Sequence, residues 1–167
     1  MSCRKRWLVS ALAVVGCVAL TGPLAGCSKY YIPNTDVEDT DDNREIVAFC
    51  EQYRRALERK DVAALLDLAS PQYYEDGGNV DASDDIDYAG LREYLLKKFE
   101  DANAIRYEIR YRRITKEEEY ILVDFTYSGS FRLPMSDGDE KWRSTVAENR
   151  LELVMHEDEG YKIVAGM

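Results

Sequence analysis

The spacing of apolar residues switches from a helical to an alternating period at about residue 101, and this constrains the fold more than any other feature of the chain. Before the switch, Ile46, Phe49, Cys50, Tyr53 and Leu57 share one helical face, and Tyr88, Leu91, Leu95 and Phe99 share another. After it, Ile105, Tyr107, Ile109 and Tyr111 alternate with Arg106, Glu108, Arg110 and Arg112. A second run alternates likewise, with Ile121, Val123, Phe125 and Tyr127 on one side and Leu122, Asp124, Thr126 and Ser128 on the other. Helices first and strands afterwards give no repeated strand-helix-strand crossovers. The expectation is therefore an α+β domain with its helices gathered on one face of an antiparallel sheet.

Local signals divide the two halves into elements. Asp42, followed three residues later by Glu45, has the pattern of a capping box for the first helix. Asp61 opens a second short helix, "VAALLDLAS", stopped by Pro71. "QYYEDGG" reads as a short strand ending in a glycine turn, and Asp87 caps a third helix. The turn "TKEEE" predicts a hairpin centred near Glu117, setting Ile109 opposite Phe125, Tyr111 opposite Val123 and Arg110 opposite Asp124. Cross-strand pairs contribute roughly 0.2–1 kcal/mol each, so the ion pair mainly helps to set the register. A third strand runs from about Trp142 to Met155, and Tyr161, Ile163 and Ala165 form a closing strand after the turn "HEDEG".

The first residues carry a different signal. Arg4, Lys5 and Arg6 precede an apolar run from Trp7 to Leu20, shorter than the ~20 residues of a permanent membrane span. A basic start, an apolar middle and small residues at the end make a secretory signal. Its last four residues, Leu24-Ala25-Gly26-Cys27, resemble the lipobox of bacterial lipoproteins. The resemblance implies that residues 1–26 are a removed signal peptide and that Cys27 carries acyl chains such as palmitate. Val14-Val15-Gly16-Cys17 is a weaker match that leaves a shorter apolar middle. Each buried methylene is worth ~0.8 kcal/mol, and two chains suffice for stable attachment. Ser28 stands where the family's inner-membrane retention signal has Asp, which implies the outer membrane, facing the periplasm or the cell surface. Residues 27–41, acidic and without an apolar period, read as a flexible tether reaching at most ~50 Å, and residues 42–167 as one folded domain.

Charge and residue counts exclude several function classes. Removing residues 1–26 takes away three of the 22 basic residues and no acidic one, leaving 19 basic against 32 acidic residues, a net of −13. Such a surface repels nucleic acid. Of the four cysteines only Cys50 would remain unmodified, so no internal disulfide forms, and its place on an apolar face makes it a spectator thiol. The sole histidine, His156, falls in a predicted turn. Zinc sites and histidine-based triads thus lack their essential residues, and no metal or cofactor is expected. Asp81, Ser83, Asp85 and Asp87 have the spacing of a calcium loop, but Ile86 stands where that loop needs Gly and Arg92 where it needs a bidentate Glu. A solvated acidic loop is the better reading.

From residue 43 to 167 the chain resembles the nuclear transport factor 2-like superfamily, which includes ketosteroid isomerase. The resemblance rests on the entry "YRRALERKDVAALLDLASPQYYED", the third helix, and the long strands closing with "LELVMHEDEGYKIVAG". It implies three helices packed into a strongly curved, mainly antiparallel sheet, a cone with a pocket at its open end. Members include isomerases, dehydratases, hydrolases, ligand binders and interaction domains, so the fold decides nothing about function. In the isomerase branch an oxyanion-stabilising tyrosine lies eight residues before the Asp opening the second helix, which maps to Tyr53 before Asp61. The proton-shuttling Asp maps to Asp76, beside Glu75. The third member, a protonated acid on a late strand, maps to Glu148 or Asn149. Sequence alone does not decide between the two: if Leu151 and Leu153 fix the alternation, Asn149 turns inward, and an amide cannot replace an acid without altering the chemistry.

Tyr53, Tyr74, Asp76, Tyr111, Phe125 and Asn149 are the candidate pocket residues. The expectation is a lipid-anchored, non-enzymatic envelope domain binding a small ligand or a protein partner. The alternative is a small-molecule isomerase, dehydratase or hydrolase using Asp76 and Tyr53. A tyrosine on a core face usually packs, and an Asp before two glycines usually makes a turn. The row of Arg106, Arg110 and Arg112 could grip an acidic partner or a sister subunit in a homodimer formed through the sheet. Cross-strand acids such as Asp124 would instead satisfy it within the chain.

Overall fold

The computed structural model describes residues 29–78, 82–100, 102–135 and 139–167. Cys27 and Asp81 lie outside the described residues. Helix α1 spans Asp41–Arg59, α2 spans Val62–Leu68 and α3 spans Tyr88–Glu100. The two-residue strands β1 (Tyr74–Glu75) and β2 (Ile86–Asp87) pair with each other, a pairing not expected from sequence. Strands β3 (Ala104–Lys116), β4 (Ile121–Pro134), β5 (Glu140–His156) and β6 (Gly160–Ala165) form one antiparallel sheet in chain order. No helix among the described residues is long and apolar enough to cross a membrane.

Two of the three helix starts follow the sequence reading. Asp61 caps α2 by accepting from the Ala64 amide at 3.1 Å, and Asp87 accepts from the Gly90 amide at 2.8 Å at the start of α3. At α1 the cap is Thr40 rather than Asp42, its hydroxyl accepting from the Asn43 amide at 3.2 Å. The helix therefore starts two residues earlier, with Asp41 and Asp42 in its first turn. The acids there oppose the positive end of the helix dipole.

The expected helical face is buried. Ile46, Phe49, Cys50 and Tyr53 on α1 pack with Leu65 of α2 and Leu91 and Leu95 of α3. Against them the sheet sets Tyr111, Val123, Phe125, Leu151, Leu153 and Ile163. Burying one such aliphatic or phenyl side chain is worth about 1.5–3 kcal/mol, so this single layer carries most of the stabilisation.

The β3–β4 register differs from the expected one. Ile109 faces Tyr127, Tyr111 faces Phe125, and Asp124 faces Arg113 rather than Arg110. The hairpin turn is centred later, between Lys116 and Ile121, and a bulge lies between Tyr111 and Arg113. The extra residue turns Arg112 and Arg113 both outward and then returns Ile114 to the inner side. A second irregularity, between Glu152 and Leu153 of β5, inserts Val164 into β6. Bulges bend and twist the strand that carries them, and these two help to curl the sheet around the helices.

Residues 30–39, read as part of a flexible tether, are folded onto the domain. Tyr31 bridges Glu38, Val37 is buried in the core, and the Asp36 amide donates to the Tyr111 carbonyl at 2.9 Å. Asp36 also accepts from Arg110 at 2.7 Å and from Arg112 at 2.8 Å. The outer face of the sheet is thus largely satisfied within the chain. Arg106 lies over the Trp142 ring at 4.5 Å, and Asp124 takes Arg113 and Arg150.

Candidate functional site

Between the helices and the curled sheet lies a cavity of about 160 Å³. From α1 it is walled by Tyr53 and Leu57, and from α3 by Tyr94, Leu95, Lys98 and Phe99. The sheet adds Ile105, Tyr107, Tyr127, Phe131 and Asn149, and Met167 completes the wall. Alternation places these sheet residues on one face, and the ladder sets Ile105 opposite Phe131 and Tyr107 opposite Gly129. Gly129 has a packing reason. A Cβ there would meet the Phe131 ring at 3.0 Å, so the missing side chain lets that ring lie along the sheet.

The wall carries four tyrosine hydroxyls, each able to donate and to accept a hydrogen bond. The Tyr107 and Tyr127 rings stack with centroids 4.9 Å apart. Tyr53 is 2% exposed, and burial first, then the neighbouring Tyr107, Tyr73 and Tyr94, hold its phenol well above the ordinary tyrosine range. Burial and the adjacent Tyr127 push Tyr107 up in the same direction. These phenols are protonated donors at any physiological pH. Among the described residues, no hydrogen bond ends on the hydroxyls of Tyr53, Tyr94, Tyr107 or Tyr127. Among the described residues Lys98 is the only charged side chain of the wall, its ammonium 5.0 Å from the Tyr94 ring centroid.

Two of the six expected pocket residues line this cavity. Tyr53 does so from α1, and Asn149 does so from β5, on the same side of the strand as Leu151 and Leu153. The Asn149 amide donates to the Gly166 carbonyl at 3.1 Å, while its oxygen accepts from the Arg150 amide at 2.8 Å. It holds the end of β6 in place while facing the cavity.

The other four are corrected by the structure. Asp76 is exposed and accepts from the Gly78 amide at 2.9 Å, a local turn before two glycines of positive φ. Tyr74 is 53% exposed, and its hydroxyl donates to Asp85. The inward residues at this strand are Tyr73, buried, and Glu75, which accepts from the Gly166 amide at 2.7 Å. The phase is therefore one residue off from the expected one, because the strand has only two residues and carries no alternation to read. Tyr111 and Phe125 are buried in the core and do not line the cavity: the Tyr111 hydroxyl donates to Glu51 at 3.0 Å, and the Phe125 ring packs behind the wall, 6.5 Å from that of Tyr127.

Sequence reasoning did not single out Tyr94, Lys98, Phe99, Tyr107, Tyr127 or Phe131 as site residues. Tyr107 and Tyr127 were legible as inward residues, but nothing in the sequence separates an aromatic that fills the core from one that borders a void. Among the described residues no group of three or more His, Cys, Asp or Glu is placed to hold a metal. Burial drives the Cys50 thiol far above its ordinary value, as expected of a spectator.

No protein-family model matches the sequence, and no curated protein matches it. Solved structures do. A nuclear transport factor 2-like superfamily protein from Salmonella enterica serovar Typhimurium is 12% identical, with 72% of this chain and 84% of that one covered at a TM-score of 0.59. The Kfla4162 protein from Kribbella flavida is 15% identical over 75% of this chain and 87% of that one, TM-score 0.62. A ketosteroid isomerase-like protein from Erwinia carotovora atroseptica is 16% identical over 75% of this chain and 93% of that one, TM-score 0.57. Likeness at such low identity bears on architecture alone, and with three helices on a curled antiparallel sheet it establishes that the chain has the cone-shaped nuclear transport factor 2-like fold.

Proposed function

We propose that this chain is a lipid-anchored envelope domain that binds a small ligand in its cone cavity without transforming it. The observation that carries the reading is the composition of the wall: aromatic rings and phenol hydroxyls surround the cavity, and no Asp or Glu side chain among the described residues lines it. A general base must lie within hydrogen-bond reach of the proton it takes. Asp76, the candidate for that task, is exposed and bonded within its own turn. Glu75 turns inward but is occupied by the Gly166 amide. Isomerase, dehydratase or hydrolase chemistry with Asp76 and Tyr53 therefore has one partner in the cavity and one outside it.

The anchor in this proposal is lipid on Cys27, supported by the run Leu24-Ala25-Gly26-Cys27, and the outer membrane is its location, supported by Ser28. Native mass spectrometry of the full-length protein extracted from its own cells tests both parts. The expected product begins at an acylated Cys27 and retains a small molecule. A product beginning at an unmodified Met1 would remove the anchor. A ligand-free product that also shows no saturable binding of small aromatic molecules would remove the binding function.

A further inference from the structure

We infer that two copies of this chain pair through the open edge of β5, antiparallel and centred on Thr145, and so join their two sheets into one. The last two strands differ greatly in reach. β5 runs Glu140–His156, whereas β6 runs Gly160–Ala165 and pairs with β5 from Glu152 to His156. β4 accompanies β5 on its other side from Glu140 to Leu153 without a break. Beyond β6, Gly166 stands against the Arg150 carbonyl and takes the Asn149 amide on its own carbonyl. Among the described residues nothing pairs with the β5 backbone on that side over 140–148. The opposite edge of the sheet is covered. On β3 the Tyr107 amide donates to Glu58, its carbonyl accepts from Arg54, and the Tyr111 carbonyl accepts from the Asp36 amide. The β5 edge has no such cover, no proline and no bulge. An unpaired row of amides and carbonyls is a template for another strand.

Backbone direction fixes which groups are free. The Arg150 carbonyl points away from β4 toward Gly166, and backbone groups of successive residues turn to alternate sides of a strand. The β4–β5 register is unbroken, so Trp142, Ser144, Val146 and Glu148 also turn their amides and carbonyls to the open side. The side chains then select a second copy and one register. A two-fold axis normal to the sheet pairs the strand with itself about a central residue. Centred on Trp142, it opposes Lys141 to Arg143; on Arg143, that residue to its copy; on Ser144, Glu140 to Glu148. Like charges directly opposite are destabilising. Centred on Val146, only 144–148 stay clear of the Gly166 end. Centred on Thr145, 142–148 pair and no like charges are opposed. Thr145 meets its copy, Ser144 meets Val146, Arg143 meets Ala147 and Trp142 meets Glu148. Val146, 69% exposed, lies diagonally across from Trp142, 40% exposed. Thr–Thr and aromatic–β-branched pairs stabilise antiparallel strands, and Ser144 and Val146 would exchange both backbone hydrogen bonds.

The test is sedimentation and cysteine cross-linking of the full-length protein in detergent micelles. A concentration-dependent dimer is expected. Thr145→Cys, at an exposed position, puts two cysteines in a non-hydrogen-bonded pair about 4.5 Å apart at Cα, within disulfide reach. Mild oxidation should therefore link its copies above the wild-type background. Arg143→Cys, roughly 13 Å from its copy in this register, should stay at that background. Val146→Pro removes an outward amide without touching the β4 ladder, a place where proline is tolerated. By symmetry two interchain bonds are lost, so dimerisation should weaken about tenfold or more, with the far-UV spectrum unchanged. The cross-linking comparison stands whether or not that variant folds. A protein monomeric at every concentration, or equal cross-linking at positions 143 and 145, overturns the inference. Slow hydrogen exchange of the Ser144 amide is expected in the dimer. The same protection in a monomer would mean that another protein's strand takes this edge, and would overturn self-pairing.

Discussion

The Gly166 amide donates to the Glu75 carboxylate at 2.7 Å, joining the end of the last strand to a two-residue strand 91 positions earlier. Gly166 has φ +93°, and a Cβ there would stand 1.9 Å from the Arg150 carbonyl oxygen. The glycine is required both by its conformation and by the approach of the backbone. Gly166→Ala is expected to destabilise the domain by about 2 kcal/mol or more, through strain and displacement of the strand end. Glu75→Ala, which removes only the charged acceptor, should cost about 1–2 kcal/mol. Urea denaturation midpoints of the two variants check the order. A Gly166→Ala midpoint equal to wild type would contradict the packing described.

Tyr53 separates volume from polarity. Tyr53→Ala leaves a void in the most buried part of the core and should cost about 3–5 kcal/mol. Tyr53→Phe keeps the ring and removes a hydroxyl with no protein partner among the described residues, so it should change stability by less than ~1 kcal/mol. The same variant should weaken retention of the bound small molecule, since it deletes one polar group of the wall. Thermal unfolding and native mass spectrometry read the two effects separately.

Asp76 is predicted to be silent. Its carboxylate is exposed and accepts from the Gly78 amide, a contact Asn reproduces with its amide oxygen. Asp76→Asn should shift stability by no more than ~0.5 kcal/mol and leave ligand retention in native mass spectrometry intact. Loss of the retained molecule, or its accumulation as an unreacted precursor, would restore the catalytic alternative.

Acid should weaken the sheet through Asp124. Hydrogen bonds from Arg150 first, and from Arg113, hold its carboxyl below the ordinary carboxylate range in the folded chain. A folded value lower than the unfolded one, ~3.9, means that the stabilisation is complete above the unfolded value. It is lost as pH falls through the folded value. Unfolding midpoints should therefore drop between about pH 5 and pH 2, and Asp124→Asn should flatten part of that drop. Parallel pH profiles for the two proteins would show that Asp124 contributes nothing to the acid response.

The three helices, the long strands and the α+β class were legible in the sequence, because periodicity reports burial directly and long elements average out local noise; the curl of the sheet was implied only by the family resemblance. Register was less legible. Arg112 and Arg113 stand side by side where strict alternation would turn one of them inward, and that pair was the available sign of a bulge. The site was read in part. Asn149 followed from Leu151 and Leu153, two unambiguous neighbours on a long strand. Glu75 ends a strand too short to show a phase and Asp76 follows it, so their exchange could not be seen. The cavity itself arises where rings from α1, α3 and the sheet fail to meet, a property of three-dimensional distance that no single element encodes.

The clasp formed by Asp36 with Arg110 and Arg112 has a consequence for how the molecule sits in the cell. With residues 30–39 committed to the domain, only three residues separate Cys27 from Tyr31, and four peptide steps reach about 15 Å at most. On the proposed anchor the domain is moored on a short line rather than a long one. Its orientation above the lipid is then dictated by the shape of its own flank, and a guest must come in from the side rather than reach a freely swinging bowl.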